Sequence, residues 1–535
     1  MRRLIHRLPH AFLVLLLLPV LALGCSTGDG GDSDGGDSDG PGTGEAAEPA
    51  VEPSPAGGPV ASPSPPTGHF LTLSDIHFDP FYDPSLMERL KATPASGWKA
   101  IFDSSSVTTF RTDEALYKQD TNYPLFRSTL QSVTTRLQSK PIDYVIITGD
   151  FMGHDFPKKY KALNPSDDTA AYRQFVRKTQ EFLALELAAV ANGVPIYPAI
   201  GNNDAYCGDY GLCDGSGFME DLAAVWQPLV GQPLGKFSRL GSYTVPHPTV
   251  PGLTLAVINN VPFAKSYPRT SAYDDPTEPC DASTTDLLSD VQSWLDGVLA
   301  AATGRVILAA HVPPGVDQYS TVDDDGDGSS AFTCPVTPSM SFNDAGVPAM
   351  NTVLDSHASK IALFFAAHTH MDDFRVFQVG AEGARTPLLV HYNPSVSIHN
   401  QNNPGFQLFT YDPADGTLLD YETHYLANLD TAGTDDGQGG TVAADWQPLY
   451  TFSVDYIQAG GLPAGAYDAT AVTGLIDKLG SDTAFAQGTY WQFHALRGGE
   501  TGAGVVNADD WPIYHCTLGN LRAEEFSACV CPSGS

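Results

Sequence analysis

Residues 70–77 read FLTLSDIH: a short β-forming apolar run, Phe70 to Leu73, passes directly into Ser74-Asp75-Ile76-His77. A strand that stops on a carboxylate and an imidazole one residue apart places two hard or borderline ligands where the backbone leaves a sheet. The same construction recurs downstream. Tyr144 to Thr148 is a buried strand ending at Gly149-Asp150, and Ile196 to Ile200 leads to Gly201-Asn202-Asn203-Asp204. Val306 to Ala309 ends at His311, and Ile361 to Ala366 ends at His368-Thr369-His370. In open α/β sheets, sites form beyond the carboxyl ends of the strands, so five such ends predict one convergent centre.

Between these strands lie helical patterns. Phe126, Leu130, Val133 and Leu137 fall at helical spacing, a longer helix is predicted over Ala170 to Ala191, and another over Thr284 to Ala301. Further strands are expected at Leu253 to Ile258, Leu388 to His391 and Phe406 to Tyr411. Strands alternating with helices make the fold class α/β and layered. Near Thr431 the chain turns to Gly, Asp and Thr (TAGTDDGQGGT), which places a boundary there, so 68–430 and 431–535 are read as two regions. The second contains one clear helix, Asp468 to Lys478.

The N-terminus reads differently. Arg2, Arg3 and Arg7 precede the apolar run Phe12 to Leu23, which is shorter than the roughly 18–20 residues a spanning helix needs. Residues 1–25 are therefore an expected signal peptide. The run ends Ala22-Leu23-Gly24-Cys25, which resembles a bacterial lipobox, making Cys25 the expected lipidation site and the protein an exported lipoprotein of the cell envelope or surface. Residues 26–67, rich in Gly, Asp, Ser and Pro, read as a flexible self-repelling tether.

With 62 acidic against 28 basic residues among 535, the net charge is −34. Removing leader and tether leaves the chain strongly acidic, so no nucleic acid is expected as partner and bulk charge does not hold it to anionic membranes. A polyanionic ligand requires a local basic pocket or bound cations. Export favours disulfides among the seven cysteines that remain after Cys25. Cys207 with Cys213 closes a short loop, and Cys516 pairs with Cys529 or Cys531 to staple the C-terminus, both as expectations. Asp323-x-Asp325-x-Asp327-Gly328 starts like an EF-hand loop, but its twelfth position is Cys334, so a solvated acidic loop is expected.

Taken together, D-x-H at Asp75/His77, GD at Asp150, GN at Asn202, His311, and H-x-H at His368/His370 resemble the calcineurin-like metallophosphoesterases. GDFMGHD (149–155), HVPPG (311–315), AHTHMDDF (367–374), NPSVSIHNQNNPGFQLF (393–409) and HCTLGNLRAEEFSAC (515–529) resemble the acid sphingomyelinase-like branch, which also includes endopolyphosphatases. The resemblance implies a four-layer α/β/β/α sandwich with a mainly helical C-terminal region. It implies two divalent cations, zinc ahead of manganese or iron, with Asp75, His77, Asp150 and His370 on one, and Asp150 bridging to a second completed by Asn202, His311 and His368. Such a pair turns a bridging water into hydroxide for in-line attack on phosphorus. The resemblance also puts His154 beside the leaving group as general acid.

Most members of that family carry Gly-Asn-His where this chain has Gly201-Asn202-Asn203. Asn203 is accordingly expected to bind a phosphoryl oxygen by hydrogen bonding and not to donate a proton. The implied substrates are phosphodiesters or phosphoanhydrides: sphingomyelin or a related lipid, nucleotides, or polyphosphate. A catalytically silent surface lipoprotein that binds phosphorylated ligands is the reading from another class; retention of all seven motif positions favours the enzyme.

Overall fold

The computed structural model describes residues 66–111, 117–212, 217–267, 286–324, 334–499 and 505–532. The leader, the tether, Cys25, Cys213, Cys280 and most of the Asp323–Gly328 loop lie outside these residues. Among the described residues, twelve strands form two six-stranded mixed sheets. In chain order they are β1 (Gly68–Leu73), β2 (Tyr144–Ile147), β3 (Ile196–Pro198), β4 (Tyr243–Pro246), β5 (Thr254–Val257), β6 (Val306–Ala309), β7 (Ile361–Ala366), β8 (Asp373–Val379), β9 (Thr386–Tyr392), β10 (Gly405–Tyr411), β11 (Leu418–Leu426) and β12 (Trp446–Thr451). One sheet runs β12-β11-β10-β1-β2-β3 and the other β4-β5-β6-β7-β9-β8.

The sheets face each other through aromatic rings that period-two alternation directs inward. Phe70 on β1 stacks on Tyr144 of β2 (ring centroids 4.7 Å) and on Phe409 of β10 (4.8 Å). Phe365 on β7 meets Phe70 and Phe409 edge-on at 5.8 and 5.3 Å, joining the two sheets. All these residues belong to one continuous apolar core. Helices cover both outer faces. Thr169–Ala191 begins on the side-chain cap of Asp168, ends at Asn192 in the left-handed region, and packs beside Tyr123–Ser139 and Phe218–Val230. On the far face, Asp286–Ala301 and Gly346–Ser356 pack together, and the C-terminal helices Ala469–Ser481 and Trp511–Gly519 lie on β8. The four-layer α/β/β/α arrangement is thus present, with a helical C-terminal region.

β1, β2 and β3 are parallel to one another, as are β5, β6 and β7. Their carboxyl ends therefore open at the same edge of each sheet. Pairing continues beyond the strands: Asp75 N–H donates to Gly149 O at 3.0 Å and His77 N–H to Asp150 O at 2.9 Å. The segment following β9 locks onto the turn after β1, with Val396 and Ser397 N–H donating to Ser74 and Asp75 carbonyls.

Strands β4, β8, β11 and β12 escape a reading by apolar runs. β8 begins with Asp373 and carries Arg375, both fully buried, so its sequence (DFRVFQV) looks like a polar turn. Arg375 is instead satisfied internally, by the Val316 carbonyl at 2.6 Å, the Gln318 side chain and Asp373. Cys516 pairs with Cys529. Cys531 reaches back to Cys334 across 197 residues, a link that short-range spacing does not show. Cys207 is also disulfide-bonded.

Candidate metal centre

The backbone turns sharply beyond β1, β2 and β7. Asp75, His77, Asp150, His368 and His370 all have φ between 43° and 71°, the left-handed region that residues other than Gly, Asn and Asp seldom occupy. Such strain persists only where surrounding contacts over-determine it, and it accumulates at functional sites. Two glycines permit the approach. A Cβ on Gly201 would sit 2.1 Å from Asp150 Oδ1, and one on Gly149, whose φ is +102°, would sit 2.8 Å from His311 Nδ1.

These turns bring all seven predicted residues together. His77 Nε2 lies 3.3 Å from Asp150 Oδ2, 3.7 Å from Asp75 Oδ1 and 3.1 Å from His370 Nε2; His370 Nε2 is 3.5 Å from Asp75 Oδ1. On the other side, His311 Nε2 lies 3.3 Å from Asp150 Oδ2, 2.8 Å from Asn202 Oδ1 and 3.2 Å from His368 Nδ1. Asp150 belongs to both groups. Except for partly buried His368, the whole set is buried.

The donor orientation fits cations. His77 Nδ1 faces the Met152 carbonyl at 3.1 Å and His311 Nδ1 the Thr148 carbonyl at 2.8 Å, so each Nδ1 carries the proton and each Nε2 turns its lone pair inward. His368 does the reverse: its Nε2 meets Tyr210 Oη at 3.0 Å and its Nδ1 points inward. Asp75 Oδ1 is buried without a hydrogen-bond donor, and two imidazole nitrogens approach each other at 3.1 Å, which leaves lone pairs in want of a positive charge. Oxygen and nitrogen donors without thiolate suit zinc, manganese or iron.

Electrostatics agree. Burial alone would raise the Asp150 pKa, but His311 and His77 outweigh it and hold the carboxyl well below its usual range. Asp75, opposed by burial and favoured by His370 and His77, is pulled down to about 2.

Asn203 is turned onto the shared carboxylate: its backbone N–H donates to Asp150 Oδ1 at 2.8 Å and its amide Nδ2 to Oδ2 at 2.9 Å. His154 stands at the edge of the first group, its ring stacked on His77 with centroids 4.0 Å apart. Its Nδ1 is 2.6 Å from Asp120 Oδ1, and Asp120 Oδ2 accepts from Lys159 at 2.7 Å. Burial lowers the His154 pKa, but the Asp120 carboxylate overrides it and the net shift is upward. Its side chain is 29% exposed, so a group outside can reach the ring.

Several supporting residues lie outside the predicted donor set. Asp204 accepts the N–H groups of Phe151 (2.7 Å), Met152 (3.1 Å) and Gly201 (2.7 Å), tying the turn after β2 to the turn after β3. Asp120 and Tyr210 sit outside any strand-end motif, and His399 falls in the 393–409 stretch without a role read from it. Only a contact across the chain reveals them.

The family of calcineurin-like phosphoesterases matches residues 68–372, more than half of the chain. The chain belongs to that family. Mouse acid sphingomyelinase-like phosphodiesterase 3b is 25% identical over 375 residues, covering 67% of this chain and 71% of that protein. Human sphingomyelin phosphodiesterase is 25% identical over 442 residues, with 79% of this chain but 59% of the relative covered. Mouse cyclic GMP-AMP phosphodiesterase SMPDL3A is 25% identical, covering 68% and 73%. Among solved structures, PhoD matches with 12% identity and a TM-score of 0.37 over 73% of this chain and 70% of that one. No helix among the described residues is long and apolar enough to cross a membrane.

Proposed function

We propose that this family member is an exported phosphodiesterase working with two divalent cations, zinc by preference, tethered to a membrane through lipidated Cys25. The observation that carries the reading is the pair of donor groups sharing Asp150, with His154 poised at their rim. The sphingomyelinase-like relatives support a phosphodiester substrate over a monoester.

Asp75, His77, Asp150 and His370 would hold one cation, and Asp150, Asn202, His311 and His368 the other. Bound there, the pair supplies an acidified water and neutralises charge on the phosphoryl oxygens. The chain does the rest. Carbonyls of Met152 and Thr148 keep two imidazoles in the ligating tautomer, and Asn203 fixes the Asp150 carboxylate while its remaining amide N–H serves a phosphoryl oxygen. His154, its Nδ1–H given to Asp120, presents Nε2–H to the departing oxygen and transfers that proton as the ester bond breaks. Sphingomyelin-type lipids are the first substrate to test, then nucleotides and polyphosphate.

A ³¹P NMR time course tests this. The metal-loaded protein is given sphingomyelin in detergent, ATP and polyphosphate together, beside Asp150→Asn. Consumption of one signal by the unaltered protein alone is expected, and phosphocholine as product marks a sphingomyelinase-like activity. Two bound metals with no signal consumed would turn the reading towards a phospholigand-binding lipoprotein.

A further inference from the structure

His399 lies in the 393–404 segment between β9 and β10, and no role in the chemistry above uses it. Its ring stacks on His154 with centroids 4.0 Å apart and planes inclined by 20°. The opposite face of His154 stacks on His77 at 4.0 Å and 13°. The His154 ring is therefore enclosed on both faces, while Asp120 holds its Nδ1 edge.

The segment bearing His399 is fixed to the metal-bearing turns. Ser397 N–H donates to Asp75 O at 3.0 Å and Ser395 N–H to His370 O at 3.2 Å. Ser395 Oγ also donates to Asp75 O at 3.0 Å, and Asn402 Nδ2 closes the loop onto Ser397 O at 2.8 Å. His399 is thus delivered to a defined place relative to the site. Asn203, buried and turned onto Asp150, brings no ring to this side.

A third cation is the competing use of the cluster, since ligand atoms of Asp120, His154 and His399 lie within 4.8 Å of one another. Imidazole lone pairs lie in the ring plane, however, and two nearly parallel rings stacked face to face do not aim at one ion. Asp120 is also occupied by His154 and Lys159.

We propose that His399 is a positioning residue: it closes the outer face of His154, so that only Nε2 of that ring meets the departing group. This rests on the reading of His154 as the acid. His399→Ala removes the wall and His399→Phe keeps a flat ring without nitrogen. Two readouts on the full, metal-loaded chain separate the cases: the His154 Cε1–H resonance in protein labelled on histidine, assigned by its loss in His154→Ala, and turnover of methyl phenyl phosphate against methyl p-nitrophenyl phosphate.

His399→Ala should remove the His399 share of the ring-current shift on the His154 resonance, weaken nuclear Overhauser contacts between the His154 and His77 rings, and lower kcat on the phenyl ester about tenfold, with KM little changed and a much smaller loss on the p-nitrophenyl ester. His399→Phe should restore all three to near the unaltered protein. An unaltered phenyl-ester rate in His399→Ala overturns the proposal, as does a kinetic loss in His399→Phe equal to that in His399→Ala, which would mean that a His399 nitrogen touches substrate. Should His154→Ala slow both esters alike, the acid assignment fails, and nuclear Overhauser contacts between the His154 and His77 rings, kept or lost in His399→Ala, then decide whether His399 positions the ring.

Discussion

His154 and Asp150 divide the proposed chemistry between them, and each supports a separate prediction. A proton donor matters in proportion to how badly the leaving group needs a proton. His154→Ala is accordingly expected to slow methyl phenyl phosphate by roughly a hundredfold or more and methyl p-nitrophenyl phosphate by about tenfold at most; steady-state kinetics on the two esters checks it. Asp150→Asn keeps the shape but loses the charge shared by both donor groups. Metal retained after dialysis, read by elemental analysis, is expected to fall to about half or less of that in the unaltered protein. The seven proposed ligands were legible because each follows an apolar strand within a few residues. The roles of Asp120, Asp204, Tyr210 and His399 were not, because they depend on partners far along the chain: Asp120 meets His154 across 34 residues and Tyr210 meets His368 across 158.

Strand β9 carries a test of how the sheets tolerate acid. His391 lies fully buried between the sheets, with Nδ1 2.6 Å from Tyr467 Oη and Nε2 2.8 Å from Gln407 Oε1. Burial pushes its pKa down to about 4 from 6.5, against a small upward pull from Gln407. Between those values the unfolded chain binds the proton and the folded one does not, so this residue's contribution to stability falls as pH drops from 6.5 towards 4, by up to about 1.4 kcal/mol per pH unit. Thermal melts across that range should be less pH-dependent for His391→Gln than for the unaltered chain. Strands with uninterrupted apolar runs, such as β2 and β7, were readable, whereas β8 hides behind Asp373 and Arg375. Their burial is tolerated only because Val316, Gln318 and Tyr490 from distant segments complete their hydrogen bonds.

Across the whole molecule, the C-terminal helices are fastened by packing on β8 of the second sheet and by the bond from Cys531 to Cys334 in the segment between β6 and β7. A cross-link that closes a long loop restricts the unfolded chain more than one closing a short loop. Cys334→Ser is therefore expected to lower the melting temperature further than Cys516→Ser, whose bond to Cys529 spans 13 residues; differential scanning calorimetry compares them. Stripping cations with a chelator should lower it too, and adding zinc back should restore it, since a ligand bound only by the folded chain stabilises it by mass action.

The contact between His77 and His370 joins residues 293 apart in the chain, and Asp150 must meet partners from both halves. Each proposed donor set draws on both sheets: Asp75, His77 and Asp150 beyond β1 and β2 need His370 beyond β7, and Asp150 and Asn202 need His311 and His368 beyond β6 and β7. Full occupancy of both proposed sites would then report that the two sheets have found each other. During refolding, zinc uptake followed by a colorimetric indicator should lag behind the recovery of far-ultraviolet circular dichroism, which makes the centre a built-in timer for the last stage of assembly.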